Sequence, residues 1–363
     1  MKNGKIVVGI THGDTNGVGY EVILKVFAEP MMLELCTPVL YGSPKVASYH
    51  RKAMNLTANF TTISHAGEAV EGRLNLVDCF SEEVKVELGQ PTAESGKAAY
   101  SVLERAMADY REGCFDVLVT APISKAAIQQ EGFHFAGHTE YIQERIGEGQ
   151  EALMILTNDV LRVALVTTHM PLREVADAIT KEAVMRKVRI FHETLRKDFG
   201  VSKPRIAVLA LNPHAGDDGL LGSEEQEIIA PAIQEMEKEG IVCFGPYAAD
   251  GFFGSCAYEH FDGVLAMYHD QGLAPFKALA MAGGVNYTAG LPVVRTSPDH
   301  GTAYDIAGRG QADEASMRQA IYMALDIFRN RQRDDEAHAH PLRKFYHERR
   351  DDSDKLKLNA TDE

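Results

Sequence analysis

The sequence has little of what a secreted, disulfide-stabilised or membrane-spanning protein carries. Its five cysteines are odd in number, scattered over 363 residues and never spaced C-x-x-C, which argues against a disulfide framework and a thiolate zinc site. No apolar run reaches the length of a membrane span, and the first residues contain no signal-peptide core. We therefore expect a cytoplasmic protein with reduced thiols and no membrane partner.

Positive charge is also scarce, since 37 Lys and Arg stand against 52 Asp and Glu, for a net charge of −15. Binding to a phosphate backbone needs a basic face, so a nucleic-acid partner is not expected. A small anionic ligand is still compatible with this balance, because a local pair of cations can oppose the overall negative field.

The dinucleotide-binding fingerprint G-x-G-x-x-G is missing from the first predicted strand and turn. After the apolar run at residues 5–10, Gly13, Gly17 and Gly19 are spaced G-x-x-x-G-x-G, and a helical pattern begins at Glu21. This spacing favours a tight turn that lines a cleft over a Rossmann site.

Strand-like apolar runs alternate with helical patterns along most of the chain. Residues 39–42, 116–120 and 205–211 are typical of strands, 95–110 of a long helix, and 174–198 predict one unbroken helix. This alternation predicts an α/β fold with a parallel or mixed sheet covered by helices on both faces. The length predicts two domains.

Three apolar runs are each followed within a few residues by a histidine: His169, His214 and His269. Ligands of open α/β sheets collect beyond the carboxyl ends of the strands, so we expect the three imidazoles to face one cleft. Imidazole is a common ligand of Zn²⁺ and related ions, and the pattern therefore predicts a divalent-metal site. Asp250 and Asp270 are candidates for orienting a ligand or transferring a proton.

The segment that follows His269 adds an anion site and a flexible loop. Lys277 and Arg295 flank Asn286, and an ammonium beside a guanidinium fork suits a carboxylate or a phosphate. Residues 299–310 place glycines among small polar residues, a composition that lets the backbone approach a large ligand closely.

Six blocks occur in order along the chain: Ile10-Thr11-x-Gly13-Asp14, Gly137-His138-Thr139-Glu140, Thr168-His169-Met170-Pro171-Leu172, Leu211-Asn212-Pro213-His214-Ala215-Gly216, Tyr268-His269-Asp270-Gln271-Gly272 and Arg295-Thr296-Ser297-x-Asp299-His300-Gly301-Thr302-Ala303. They resemble the signature blocks of the 4-hydroxythreonine-4-phosphate dehydrogenase family of pyridoxal phosphate biosynthesis. The last block is also similar to the cofactor loop of isocitrate and isopropylmalate dehydrogenases, which share the family's fold.

The resemblance implies two α/β/α domains with a cleft between them. The first domain comprises residues 1–130 and 296–331, and the second comprises 131–295 with the metal ligands and the dimer interface. The resemblance also implies a homodimer whose active site takes residues from both subunits. Residues 332–363 have no counterpart in the family pattern, and their composition, dominated by charges and histidines, predicts a charged tail.

The resemblance also implies roles for single residues. The ligands of a divalent metal (Zn, Mg or Co) are His169, His214 and His269. The substrate contacts are His138, Thr139, Lys277, Asn286 and Arg295. The loop that binds NAD or NADP contains Asp299, His300, Gly301 and Thr302. The implied reaction oxidises the C3 hydroxyl of 4-phosphohydroxy-L-threonine by hydride transfer to the nicotinamide, and loss of CO₂ then leaves 3-amino-2-oxopropyl phosphate.

The first block departs from the family pattern. His12 replaces the usual proline, and Asn16 and Tyr20 stand where alanine and proline are more common, which bears on substrate preference. One alternative is a catabolic dehydrogenase of D-threonate or D-erythronate 4-phosphate. Alternatives from other classes are a metal-dependent hydrolase or phosphatase using the same histidines, and a ligand-binding regulatory protein.

Overall fold

The computed structural model describes residues 4–80, 82–129, 133–135, 137–280 and 283–340. Within these ranges the strands are β1 (Val7–Thr11), β2 (Thr37–Gly42), β3 (Phe60–Ile63), β4 (Leu74–Asp78), β5 (Val117–Thr120), β6 (Leu153–Thr157), β7 (Arg162–Leu165), β8 (Ile206–Leu209), β9 (Cys243–Tyr247), β10 (Gly263–Ala266), β11 (Val285–Ala289) and β12 (Val294–Pro298).

The helices of the same ranges are α1 (Gly19–Ala28), α2 (Pro30–Leu35), α3 (Pro44–Ala53), α4 (Ala93–Arg111), α5 (Lys125–Gln129), α6 (His138–Ile146), α7 (Leu172–Ala178), α8 (Lys181–Lys197), α9 (Ala230–Lys238), α10 (Ala249–Gly254), α11 (His269–Ala280) and α12 (Ala315–His338). Short 3-10 turns occur at Ala66–Glu68 and Ala257–His260, a π-helical turn at Glu225–Ile229 leads into α9, and residues Pro213–Gly219 contain a left-handed turn.

All the strands join one mixed sheet in the order β3-β4-β2-β1-β5-β12-β11-β6-β7-β10-β8-β9. The strands from β3 to β12 in this order are parallel. Strand β11 is antiparallel to β12 and β6, β6 is antiparallel to β7, and β7, β10, β8 and β9 are parallel again. The predicted mixed α/β fold is confirmed.

Strands from residues 7–120, together with β12, form one half of the sheet, and strands from residues 153–289 form the other half. The division of the chain into two domains stays a prediction. Helix α12 continues past residue 331 to His338, so the predicted tail segment begins inside this helix, and residues 341–363 lie outside the described residues.

Both faces of the sheet are covered, because alternate residues of one strand pack into different hydrophobic clusters. Val8 and Ile10 of β1 pack with Leu40 in one cluster, whereas Val39 and Tyr41, the neighbours of Leu40, pack in a second. Burial on both sides explains why these strands are continuous apolar runs in the sequence.

The predicted single helix over residues 174–198 is wrong, because the chain breaks at Ile179 and Thr180. Thr180 is extended, and its hydroxyl accepts a hydrogen bond from the backbone N–H of Ala183 at 3.1 Å, which starts α8 as a new helix. Ile179 is buried at the break. Within the described residues, no helix has the length and apolarity that a membrane span needs. All five cysteines lie in the described ranges, and none forms a disulfide.

Candidate active site

A cleft of about 260 Å³, here the central cleft, lies over the middle strands of the sheet. Asn286 of β11 pairs with Ser297 of β12 and with Leu156 of β6, and all three residues line the cleft. Paired residues of neighbouring strands point to the same face of a sheet, so they form a continuous floor. Arg295, two residues before Ser297, lines the same floor.

Arg295 is a buried cation held by hydroxyl groups. Its side chain is 2% exposed, its Nε and Nη2 donate to Thr120 Oγ1 at 3.1 and 2.6 Å, and its Nη1 donates to Thr288 Oγ1 at 3.0 Å. Within the described residues no carboxylate pairs with it, and burial lowers the pKa of Arg295 to about 10. The charge of Glu140 offsets only part of the cost of burying this cation, so the cleft is suited to receive an anion.

His138 and Thr139, two predicted substrate contacts, begin α6 at the wall of the central cleft. Burial, and then the charges of Arg295 and Lys125, hold the pKa of His138 well below its usual range, so the ring is neutral. Its buried Nε2 has no hydrogen-bond partner in the described chain, as expected of an atom that meets a ligand. Thr139 Oγ1 lies 3.4 Å from Thr288 Oγ1.

The remaining predicted substrate contacts, Lys277 and Asn286, also line the central cleft. Lys277 Nζ donates to the carbonyl oxygen of Asp299 at 2.9 Å, and Lys125 is a further cation of the lining. The buried Oδ1 of Asn286 has no partner among the described residues. The cleft thus combines several cations with an unpaired acceptor, which suits a ligand bearing both anionic and donor groups.

His169 and His269 lie together at the cleft, with ring centroids 5.9 Å apart. Nδ1 of His169 is 3.5 Å from Glu140 Oε1, and Nδ1 of His269 is 2.7 Å from Asp270 Oδ1. A carboxylate at Nδ1 fixes an imidazole with its Nε2 directed away from that contact, which is the common arrangement of metal-binding histidines. The hydrogen bond between Asp270 and His269 Nδ1 therefore suits Asp270 to orient the imidazole of His269.

His214, the third predicted metal ligand, lines a different cleft of about 500 Å³, together with Asp250 and Tyr268. The ligand atoms of His169, His214 and His269 do not all lie within 4.8 Å of one another in the described chain. One chain therefore brings together two of the three predicted ligands and places the third elsewhere. Asp250, a predicted catalytic residue, lies with His214.

The backbone that carries His214 is unusual. Residues 214–218 all have positive φ, between 44° at Asp217 and 82° at Gly216, and so form a left-handed turn. The buried carboxylate of Glu225 holds this turn by accepting from the backbone N–H of Leu211 and Asn212 at 2.8 and 2.7 Å. A left-handed conformation costs about 1–2 kcal/mol per non-glycine residue, and such strain is concentrated at functional sites.

Residues 299–310, here the glycine-rich loop, pass along the rim of the central cleft. Asp299, His300 and Gly301 line the cleft, and the buried Nε2 of His300 has no partner among the described residues. Thr302, the fourth predicted cofactor contact, accepts a hydrogen bond at its carbonyl oxygen from the N–H of Val18 at 3.1 Å. The loop is thus tied to the first turn of the chain.

Sequence reasoning did not identify four residues that shape the site: Thr120, Lys125, Glu140 and Thr288. Thr120 and Lys125 bracket the proline that ends β5, and Glu140 lies in the first turn of α6, so position after a strand or at a helix start was an available signal. Thr288 carried no such signal, because its role depends on the pairing of β11 with β12.

A group of three metal-ligating side chains within 4.8 Å does occur elsewhere in the described chain, at His65, Glu112 and Cys114. Nδ1 of His65 accepts a hydrogen bond from the N–H of Gly67 at 3.1 Å. Nε2 of the same ring lies 3.3 Å from Glu112 Oε2. This group shares no residue with the lining of the central cleft.

Comparison with known proteins identifies the family to which this chain belongs. The model of the family described as pyridoxal phosphate biosynthetic protein PdxA matches residues 34–324. The 4-hydroxythreonine-4-phosphate dehydrogenase of Bacteroides thetaiotaomicron is 66% identical over 363 residues, which is 100% of both chains. A crystal structure of the enzyme of that name from Klebsiella pneumoniae superposes with a TM-score of 0.76 at 35% identity, covering 90% of this chain and 100% of the other.

A protein of Oceanobacillus iheyensis, whose name refers to a D-threonate 4-phosphate dehydrogenase, is 39% identical over 327 residues, 89% of this chain and 98% of the other. These relatives share the dehydrogenase class while their names differ in substrate. The protein is thus an oxidoreductase, and its chain belongs to the family of the pyridoxal phosphate biosynthetic protein PdxA.

Proposed function

We propose that this protein is a 4-hydroxythreonine-4-phosphate dehydrogenase that oxidises 4-phosphohydroxy-L-threonine with NAD or NADP. The observation that supports it best is the buried guanidinium of Arg295, which has hydroxyl partners and no carboxylate in the described chain. A site that holds an unpaired cation suits a substrate with phosphate and carboxylate groups. The name of the relatives in the comparison supports this substrate.

The residues of the central cleft divide the binding of such a substrate between them. Arg295, Lys277 and Lys125 hold the phosphate and the carboxylate, which together carry the substrate's negative charge. Neutral His138 offers its unpaired Nε2 to a substrate oxygen, and Asn286 offers its unpaired Oδ1 to the substrate's amino group. These contacts fix the C3 hydroxyl relative to the cleft floor, so that positioning lowers the barrier.

We assign a divalent cation to His169 and His269 of one chain together with His214 of a second copy. The donor set fits such an ion, since the Nδ1 atoms of His169 and His269 are held by Glu140 and Asp270. An all-imidazole set suits zinc or cobalt better than magnesium. When bound, the cation supplies Lewis-acid polarisation of the substrate's oxygens.

The proposed homodimer follows from the separation of these ligands. His214 is exposed on its left-handed turn, and Leu220, close by in the chain, is 79% exposed. An exposed ligand beside an exposed apolar side chain is suited to an interface in which a second copy covers both. Each of the two sites then contains residues of both chains.

The glycine-rich loop is assigned to the dinucleotide, whose nicotinamide accepts the hydride that leaves C3. Oxidation removes that hydride and the hydroxyl proton, and C3 becomes a ketone β to the carboxylate. The C1–C2 bond then breaks to release CO₂, and C2 takes up a proton to give 3-amino-2-oxopropyl phosphate. The cations of the cleft hold the phosphate through both steps.

A second candidate substrate is D-threonate 4-phosphate, which the name of the Oceanobacillus iheyensis relative suggests. It carries a hydroxyl group in place of the amino group at C2. The unpaired Oδ1 of Asn286 can accept a hydrogen bond from either group. The preferred substrate is therefore the one whose C2 group makes the stronger hydrogen bond in the cleft.

Assays of nicotinamide reduction with both substrates, before and after chelation and with zinc, cobalt or magnesium restored, test the proposal. We expect metal-dependent reduction with 4-phosphohydroxy-L-threonine and a kcat/KM at least about tenfold lower with D-threonate 4-phosphate, because a protonated amino group makes a stronger, charge-assisted hydrogen bond to Asn286 Oδ1 than a hydroxyl group does. Reduction of the nicotinamide with D-threonate 4-phosphate alone would show that this compound, and not 4-phosphohydroxy-L-threonine, is the substrate. Phosphate release without nicotinamide reduction would show that the protein is a phosphatase and not a dehydrogenase.

A further inference from the structure

The glycine-rich loop needs external support to keep one conformation. Among the described residues its positions 299–310 contain no strand and no regular helix. Ala303 has a left-handed φ of 45°, which is unfavourable for a residue with a Cβ atom. Such a conformation persists where surrounding contacts hold it. The residue that follows, Tyr304, provides one of these contacts.

Asp14, at the first turn of the chain, is the acceptor for that contact. The Oδ2 of Asp14 accepts from Tyr304 Oη at 2.8 Å and from Ser95 Oγ at 3.0 Å, and its Oδ1 accepts from the N–H of Asn16 at 2.8 Å. The side chain of Asp14 is 1% exposed. Hydrogen bonds to a buried carboxylate are stronger than those between neutral groups.

A third segment, residues 87–92, is fixed between the first turn and the loop. Asn16 Oδ1 accepts from the N–H of Glu87 at 2.8 Å, and Asn16 Nδ2 donates to the carbonyl oxygen of Gln90 at 2.9 Å. A Cβ atom on Gly89 would lie 2.9 Å from the carbonyl oxygen of Tyr304, so the segment approaches the loop closely. The loop is therefore hydrogen-bonded at the hydroxyl of Tyr304 and closely approached at its backbone.

We propose that Asp14 is a positioning residue that acts through Tyr304 to hold the glycine-rich loop in the conformation that receives the dinucleotide. The proposal rests on the proposed function, because that function gives the loop its ligand. Neither residue lines the central cleft, so their effect on NAD or NADP passes through the backbone of the loop. Preorganisation of a loop improves ligand affinity by reducing the ordering cost of binding.

The test uses the full-length holoenzyme and the variants Tyr304→Phe, Asp14→Asn and the double variant. In Tyr304→Phe we expect the KM for the dinucleotide to rise about three- to tenfold, with kcat and the substrate KM within about twofold of wild type. Asp14→Asn raises the same KM, and the effects of the two changes on this KM are less than additive in the double variant, since both weaken the contact between Tyr304 and Asp14. Amide hydrogen exchange within residues 301–310 becomes faster in both single variants.

Tyr41→Phe is the matched control, because Tyr41 Oη donates to the buried carboxylate of Asp109 at 3.0 Å in the second hydrophobic cluster. It removes a similar hydrogen bond and leaves the dinucleotide KM unchanged. An unchanged KM in Tyr304→Phe, or unchanged exchange in the loop, overturns the positioning role. An inactive wild-type enzyme overturns the proposed function itself, so the two failures are distinguishable.

Discussion

The imidazoles of His169 and His269 face the same cleft with their ring centroids 5.9 Å apart, although one hundred residues separate them in the chain. The parallel pairing of β7 with β10 explains this proximity, since each histidine follows the carboxyl end of one of these strands. His214 follows β8, the next strand, and still lies in another cleft. This separation supports the proposal that His214 of a second copy of the chain completes the set of three ligands.

Subunit complementation tests this sharing. We expect His169→Ala and His214→Ala each to be inactive, and their mixed dimers to contain one intact site, because each variant supplies the ligands that the other lacks. Random mixing after reversible dissociation then restores about a quarter of the wild-type activity. The control mixture of His169→Ala with His269→Ala stays inactive, because both lesions fall in the same half-site. Activity in neither mixture would place all three ligands within one subunit.

Glu140 and Asp270, whose carboxylates lie at Nδ1 of His169 and His269, are expected to strengthen metal binding. We expect Glu140→Ala and Asp270→Ala each to weaken cobalt binding about 10- to 100-fold, because a metal-bound imidazole loses orientation without its acidic partner. Titration of the chelated enzyme with cobalt, followed by its visible absorption, measures this affinity directly. Glu144→Ala changes an exposed carboxylate of the same helix and serves as the control. Equal cobalt affinity in the three variants would show that Glu140 and Asp270 do not orient the metal-binding histidines.

The strand ends that carry the site could be predicted from the sequence, because runs buried on both faces of a sheet are continuous and apolar. His169 and His269 were placed at strand ends in this way, and the structure shows them together. The position of His214 could not be predicted, since it depends on five consecutive left-handed residues held by Glu225. No spacing of residue types in the sequence specifies such a turn.

Side-chain contacts between neighbouring strands could not be predicted from the sequence pattern either. The hydroxyls of Thr120 and Thr288 hold Arg295, but these three residues come from different strands, and their contact depends on the order β5-β12-β11. The break between α7 and α8 was missed for a local reason. The apolar spacing continues through Ile179, whereas the hydroxyl of Thr180 caps a new helix at that point, and a threonine within an apolar pattern does not by itself indicate a break.

Replacement of Arg295 by lysine is expected to weaken substrate binding even though the positive charge is kept. We expect Arg295→Lys to lower kcat/KM about 100-fold or more, since an ammonium group cannot hold both threonine hydroxyls and an anion in the geometry of a planar fork. Addition of substrate raises the Tm of the wild-type enzyme and not that of the variant, because ligand binding stabilises the folded state by mass action. Steady-state kinetics and thermal unfolding measure the two effects.

The control for this variant is Arg162→Lys. Arg162 is a partly buried arginine outside the central cleft, with its guanidinium carbon 4.7 Å from the centre of the Phe199 ring. This exchange has little effect on kcat/KM, because Arg162 does not line the cleft. A similar loss of kcat/KM in both variants would assign the effect to packing.

The stacked rings of His12 and Tyr20, both departures from the family pattern, predict a pH-dependent stability. Burial, and then the neighbouring charge of His50, lower the pKa of His12 to about 3. The unfolded chain binds this proton below a pKa of about 6.5, so stability is fully present above that pH and decreases as the pH falls toward 3. At pH 5 the loss attributable to His12 is about 2 kcal/mol.

Urea unfolding of the wild-type protein and of His12→Leu, at pH 8 and pH 5, measures this contribution. We expect the wild type to lose about 2 kcal/mol more free energy of unfolding than the variant between the two conditions, because leucine has no proton to bind. His50 is also buried with a lowered pKa and stays in both proteins, so its effect cancels in the difference. His260→Gln changes an exposed histidine and retains the wild-type dependence. Parallel losses in the wild type and in His12→Leu would show that the buried ring at position 12 takes up its proton without unfolding.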